Sequence, residues 1–405
     1  MALLPALGIG ERDLTGGPPA TPEVASIRLA LLKNFIAPYS IPVFRELHAR
    51  LREFRVFVST AMETDRGWEP DSGRLAVTVQ RTLTVMSRRE HPHGFADRLA
   101  LHVPYDTLWR LHGMSPDVVI SGELGWRTLQ AVAYRRWLTL RGRAKLIIWT
   151  TLSETTELAR GRARRLLRAY LLSRADAVLV NGASAYRYVR SFDVPEPRIF
   201  TVPYTTDLTP FQALPLNRAP ESSKRLLYVG RLIQLKALDR FITALCRWAE
   251  RHPDRRAELW LVGDGPVRSE LEQIARPANL RLRFIGNVPY GELVTWYGQA
   301  GILAFPTLAD EWGVVVNEAL AAGVPVLGSV FSGAVEELVR DGHNGWTFRS
   351  DRTEELASAL DRALNTPDVV LESMRVRARQ SVSYLTPAFA ADQFLKAVRF
   401  VLTEP

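Results

Sequence analysis

Phe305-Pro306-Thr307-Leu308-Ala309-Asp310-Glu311-Trp312-Gly313-Val314-Val315-Val316-Asn317-Glu318-Ala319-Leu320-Ala321-Ala322-Gly323-Val324-Pro325-Val326 decides how this chain is read. An apolar strand end runs into an acidic turn containing a glycine. A helix starts near Gly313, and Gly-Val-Pro leads out into a second apolar run. Strand, loop, helix and strand in that order belong to a parallel α/β sheet. The loop brings carboxylates and backbone N–H groups to a helix N-terminus, which suits a polyhydroxylated anion such as a nucleotide-sugar.

The same alternation extends outward on both sides. Toward the C-terminal half lie the apolar runs Arg225–Gly230, Glu258–Gly263, Leu282–Ile285, Ile302–Phe305 and Val324–Leu327, with a helical pattern over Leu238–Arg251. The N-terminal half repeats the scheme with Ile27–Leu32, Phe54–Val58, Asp117–Ile120, Lys145–Trp149 and Ala177–Val180. There the segment Pro42–Leu51 places Val43, Phe44, Leu47 and Leu51 on one helical face. Between the halves, Pro203 to Pro220 is rich in Pro, Thr, Asp and Asn and reads as a linker. Two Rossmann-like α/β units facing across a cleft are predicted, with ligands at the C-terminal strand edges.

At 405 residues the chain is long enough for two or three domains of roughly 150 residues. Its 47% hydrophobic and 23% charged residues are ordinary for a globular protein. Cys246 is the only cysteine, which excludes a disulfide framework and suits folding in the cytoplasm. No apolar run approaches the ~20 residues that span a bilayer. Residues 1–22 lack both a basic start and a long apolar run, and read as a disordered leader rather than a secretory signal.

Charge is unevenly spread. Residues 1–220 hold 30 Lys/Arg against 20 Asp/Glu, whereas the whole chain carries a net +9. Residues 127–174 alone hold 12 basic and 2 acidic side chains, among them Arg160, Arg162, Arg164, Arg165 and Arg168. Such a helix is either a solvated face or an attractor for an anionic surface, lipid headgroups or nucleic acid. No aromatic ladder or reader motif stands beside these arginines, so nucleic acid is not expected as a partner.

Three further motifs follow strands. Gly230-Arg231-Leu232-Ile233-Gln234-Leu235-Lys236 brings two cations to a helix start, where they suit a diphosphate leaving group; a solvated Arg and Lys is the plain alternative. Val262-Gly263-Asp264-Gly265-Pro266 is a tight turn whose glycines imply positive φ or backbone close to a ligand. It is not a dinucleotide fingerprint, because Gly-x-Gly-x-x-Gly is absent. In the N-terminal half, Ser121-Gly122-Glu123-Leu124-Gly125 and Ser153-Glu154 follow strands. Glu123 and Glu154 are therefore acceptor-side candidates, or ordinary loop acids.

Gly230-Arg231…Lys236, Leu261–Pro266, Phe284-Ile285-Gly286 and Asp310…Glu318…Gly323-Val324-Pro325-Val326, in that order, resemble retaining glycosyltransferases of the GT-B fold, family four. The motifs lie within residues 225–345, and the two-unit architecture extends the likeness over nearly the whole chain. The resemblance implies an acceptor domain at 23–210, a donor domain at 222–380, and a 381–405 helix crossing back to the first. It implies that Arg231 and Lys236 hold the donor diphosphate, that Asp310 contacts the donor sugar, and that Glu318 contacts the ribose. Amides around Trp312, Gly313 and Val314 would hold the sugar, with Glu311 beside them, and Asn287 and Val288 would lie near the base.

Two departures stand out. The first acidic position is Asp310 where the family has Glu, one methylene shorter, with Glu311 available to restore the reach. The family's histidine after an N-terminal strand has no counterpart here, since Lys145–Ile148 runs into Trp149-Thr150-Thr151. With no Asp-x-Asp in the chain, no metal or other cofactor is expected, and the two cations take that role. Retention would follow from front-face attack, the leaving phosphate accepting the acceptor's proton. The implied activity is hexosyl transfer from a nucleotide-sugar to a lipid-linked, polysaccharide or small-molecule acceptor in cell-envelope synthesis, at the inner membrane face through residues 127–174. A GT-B phosphorylase or a nucleotide-sugar epimerase is the alternative.

Overall fold

The structure is a computed structural model that describes residues 22–63, 73–92, 94–137, 144–157 and 161–403. The leader reading for residues 1–21 falls outside these, as do Arg141, Arg143 and Arg160. The chain divides into two compact units, residues 1–206 with 386–405, and residues 207–385.

The first unit contains β1 (Arg28–Lys33), β2 (Glu53–Val58), β3 (Ala76–Val79), β4 (Thr82–Glu90), β5 (Ala96–Pro104), β6 (Val118–Ser121), β7 (Lys145–Trp149), β8 (Ala177–Val180) and β9 (Ile199–Thr201). Seven of these form one sheet in the order β3-β2-β1-β6-β7-β8-β9, and every pairing is parallel. β4 and β5 form a separate antiparallel hairpin. The central strands are buried end to end, as the continuous apolar runs of a doubly covered parallel sheet require. Helix Ile41–Arg50 covers one face through Ile41, Val43, Phe44 and Leu47. The C-terminal helix Pro387–Thr403 packs into the same core, where Phe394 meets Trp149 edge-on at 4.9 Å. An ion pair from Arg50 to Asp392 at 2.5 Å fixes it there.

The second unit contains β10 (Leu226–Val229), β11 (Ala257–Val262), β12 (Leu280–Gly286), β13 (Ile302–Phe305), β14 (Val326–Ser329) and β15 (Gly345–Phe348). Their order is β12-β11-β10-β13-β14-β15, again wholly parallel. The chain winds outward in one direction from β10 and in the other from β13. The β10/β13 boundary is therefore the topological switch point, where loops leave a crevice at the strand C-termini. Helix Leu238–Arg251 buries Leu238, Phe241, Ile242, Leu245, Trp248 and Ala249 on one stripe.

The segment read as a linker behaves differently from a free tether. It holds a short helix, Thr209–Gln212, whose Phe211 is buried and meets Tyr297 edge-on at 5.4 Å. Arg218 donates to the carbonyls of Ala300 at 2.9 Å and Ala322 at 3.0 Å, and Arg379 donates to Ala321 at 3.0 Å and Leu214 at 2.6 Å. Those arginines satisfy the carbonyls left open at the end of helix Val314–Ala321. Burial, aided by the charges of Arg375 and Arg379, draws the Arg218 guanidinium down to about 10.

Candidate functional site

The two loops that leave the β10/β13 switch point are Gly230–Lys236 and Pro306–Gly313, the two motifs singled out in the sequence. They are tied together at the Leu235 carbonyl, which accepts from Leu308 N–H at 2.9 Å and from the Thr307 hydroxyl at 3.3 Å. Lys236 Nζ is ion-paired with Asp310 Oδ2 and lies 5.2 Å from the Phe305 ring centroid. Arg231 is exposed, and its carbonyl accepts from the buried Tyr228 hydroxyl at 2.7 Å. Burial pushes Tyr228 well up, Asp310 adds to the rise and Arg231 opposes it, so both charges act on this one phenol.

Helix Val314–Ala321 begins after Gly313, its N-cap, which has φ +95°. A Cβ at that position would lie 2.8 Å from the Phe305 ring, so only glycine fits both the dihedral and the space. Gly313 offers no side chain to the first helical amides, which leaves the helix N-terminus uncapped by side chains and suited to an anion. The Trp312 amide is not part of that set. It donates to Asp310 Oδ1 at 3.0 Å, and a single N–H makes one good bond. The indole is buried and donates to Asn317 Oδ1 at 3.0 Å. Glu311 and Val314 are half-buried beside it.

Glu318 lies one turn into the helix and is 1% exposed. Among the described residues, no cation pairs with its carboxylate. Tyr290 OH donates to Oε1 and Tyr297 OH to Oε2, both at 2.9 Å. Burial dominates over these two bonds and raises Glu318 to about 7. Neither tyrosine was picked out in the sequence. Both are aromatic in helical or turn surroundings, and nothing local separates a core tyrosine from one that holds a carboxylate. Tyr290 stands two residues after Val288, and it is through Tyr290 that the segment after β12 meets this acid. Asn287 itself is exposed and Val288 half-buried.

Gly263 has φ +127°, and a Cβ there would overlap the Gly230 carbonyl. Its backbone is packed against the Gly230 loop, which gives the Val262–Pro266 turn a reason independent of any ligand. Gly230, Arg231 and Lys236 after β10, Gly263 beside them, Asp310 and Gly313 after β13, and Glu318 on the following helix thus belong to the loops and helix that leave the C-terminal strand edge around the switch point.

In the other unit, Glu123 follows β6 at the β1/β6 switch point. Its carboxylate pairs with Arg127 at 2.5 Å, and Arg127 also donates to Ser59 Oγ at 2.7 Å and Asn34 Oδ1 at 3.3 Å. Glu123 therefore belongs to a built polar cluster. Glu154 is exposed and paired with Arg187 at 2.9 Å across a solvated surface, a contact worth about 0–1 kcal/mol.

The basic stretch is not one face. Arg127 is buried in the cluster just described, and Arg168 is buried against Glu157, donating also to Tyr188 OH at 2.6 Å. Arg135 pairs with Asp176 at 2.8 Å. Arg162 and Arg164, on helix Arg162–Ser173, remain exposed beside Leu166, which is 71% exposed. Among the described residues no cluster of potential metal ligands occurs, and no helix is long and apolar enough to cross a membrane.

These features define a class first: a protein of the GT-B fold, two α/β units each built on a parallel sheet. Solved structures share it across the chain. HepE from Anabaena in complex with UDP aligns with TM-score 0.66 at 14% identity, over 92% of this chain and 100% of that one. The sucrose-phosphate synthase from Thermosynechococcus elongatus aligns with TM-score 0.65 at 15% identity, over 93% and 100%. Residues 223–366 match the family described as glycosyl transferases group 1. Among sequence relatives, the D-inositol 3-phosphate glycosyltransferase of Nocardia farcinica is 30% identical over 310 residues, 70% of this chain and 65% of the relative. That of Corynebacterium urealyticum is 27% identical over 320 residues, 73% and 74% respectively. The chain thus spans slightly under two thirds of the Nocardia relative.

Proposed function

We propose that this chain transfers a sugar from a nucleotide-diphosphate donor to an acceptor hydroxyl with retention of configuration. The observation that carries the reading is the meeting of Lys236 and Asp310 across the β10/β13 switch point, beside a helix N-terminus with no side-chain cap. As the donor's glycosidic bond breaks, charge grows on the departing diphosphate. Arg231, Lys236 and the helix amides stabilise it, which is the electrostatic part of the barrier reduction. Glu318 supplies an acceptor for the ribose hydroxyls, and the departing phosphate takes the acceptor's proton. These cations do the work of a metal, so turnover is expected to persist in chelator.

The group 1 domain and the relatives' names support a nucleotide-sugar donor, and the UDP held by HepE makes UDP-sugars the first to try. Among the lipid-linked, polysaccharide and small-molecule acceptors read from sequence, the relatives' named substrate, a phosphorylated polyol, supports the small-molecule one. Exposed Arg162, Arg164 and Leu166 suit attachment to an anionic membrane from the cytoplasmic side.

Melting the protein with UDP-, GDP- and ADP-sugars tests the donor, because a ligand specific to the folded state raises Tm. Lys236→Ala and Arg231→Ala are each expected to lower turnover about 100-fold or more while leaving the fold intact. Unchanged turnover in both would sink the reading.

A further inference from the structure

Both oxygens of Glu318 are covered in this structure, and the two covers are unlike. Tyr297 is fully buried within helix Leu293–Gly298, its ring held edge-on by Phe211, and its hydroxyl also reaches Val315 O at 3.3 Å. Tyr290 is half-buried and heads a three-residue turn, Tyr290–Glu292, between exposed Pro289 and exposed Gly291. A Cβ built at Gly291 meets nothing within 4 Å, so this turn borders open space. A ligand hydroxyl that approaches Glu318 can displace Tyr290 and cannot displace Tyr297.

We infer that the Tyr290 hydroxyl occupies, on Glu318 Oε1, the position that a ribose hydroxyl of the donor takes, so that donor binding requires Tyr290 to leave. Phenol and ribose hydroxyl are both O–H donors to one carboxylate oxygen, and they compete for it. Tyr290 thereby weakens nucleotide binding by the fraction of time it holds the site closed, and it favours ligands whose ribose can replace its bond. Tyr297 stays as the fixed partner that aims the carboxylate. The inference rests on the donor-site reading above.

The test is titration of UDP, GDP and ADP into the full chain and into Tyr290→Phe, which keeps the ring and removes only the hydroxyl. The variant is expected to bind the preferred nucleotide about tenfold more tightly, since a hydrogen bond to a charged group no longer has to be broken first. The 2′,3′-dideoxy form of that nucleotide has no hydroxyl to offer, and its affinity is expected to be the same for both proteins. Equal or weaker binding of the normal nucleotide by Tyr290→Phe overturns the inference, making Tyr290 a brace or a bystander. An equal gain for the dideoxy form overturns it as well, because the hydroxyl would then act by bulk. Failure of the unaltered chain to bind any of the three overturns the donor-site reading itself.

Discussion

Asp310 holds Lys236 on one carboxylate oxygen and the Trp312 amide on the other. The shorter acid at this position is thus the link between the cationic loop after β10 and the turn that starts the helix. The two bonds can be separated. Asp310→Asn keeps an oxygen for the Trp312 amide and loses the charge opposite Lys236, whereas Asp310→Ala loses both. The alanine variant is expected to melt lower than the asparagine variant, by about 1 kcal/mol in stability. Both are expected to lose turnover, which a coupled assay of nucleotide release would read.

Glu318 gives a pH signature. Its carboxyl is raised from 4.5 to about 7. Between those values the folded chain keeps a proton that the unfolded chain has lost, so stability falls as pH rises across that window. Above pH ~7 the penalty is complete, on the order of 3 kcal/mol. In Glu318→Gln this component is absent. Denaturant unfolding from pH 4 to 8 should therefore show the wild type losing stability relative to the variant; a constant difference would rule the shift out.

Gly313→Ala tests the helix entry. Positive φ and the nearby Phe305 ring both oppose a side chain, and a loss of about 1–3 kcal/mol is expected by denaturant unfolding. Because the same glycine aims the first helical amides, nucleotide affinity should fall with it.

The arginines of residues 127–174 should split into two kinds. Arg168→Ala removes the guanidinium that faces the buried Glu157 carboxylate and is expected to cost about 3–5 kcal/mol. Arg162→Glu combined with Arg164→Glu changes only exposed side chains and should shift stability by no more than about 0.5 kcal/mol. That double variant should release the protein from anionic vesicles in a sedimentation assay.

Elements with strong apolar runs, such as Ile302–Phe305 and Lys145–Trp149, are readable because burial on both faces writes itself into consecutive residues. The weaker strands are not. Ala76–Val79, the Thr82–Glu90 and Ala96–Pro104 hairpin, Ile199–Thr201 and Gly345–Phe348 are short or partly exposed, and their composition does not stand out from loop. The hairpin leaves Leu83, Val85, Met86 and Leu101 exposed, so no alternation of buried and polar residues marks it.

What the sequence determined by itself was local. Strand-to-loop-to-helix order placed Gly230–Lys236 and Asp310–Glu318 each at the end of a strand, since such patterns depend only on residues a few positions apart. Which side chains touch was decided by the tertiary structure alone. Lys236 and Asp310 lie 74 residues apart, and Tyr290 and Glu318 lie 28 apart. Their contacts exist because the sheet order sets β10 beside β13 and packs the Tyr290 turn against the Glu318 helix. The raised carboxyl of Glu318 has the same origin, for exclusion of water is a property of the assembled fold and not of any stretch of chain.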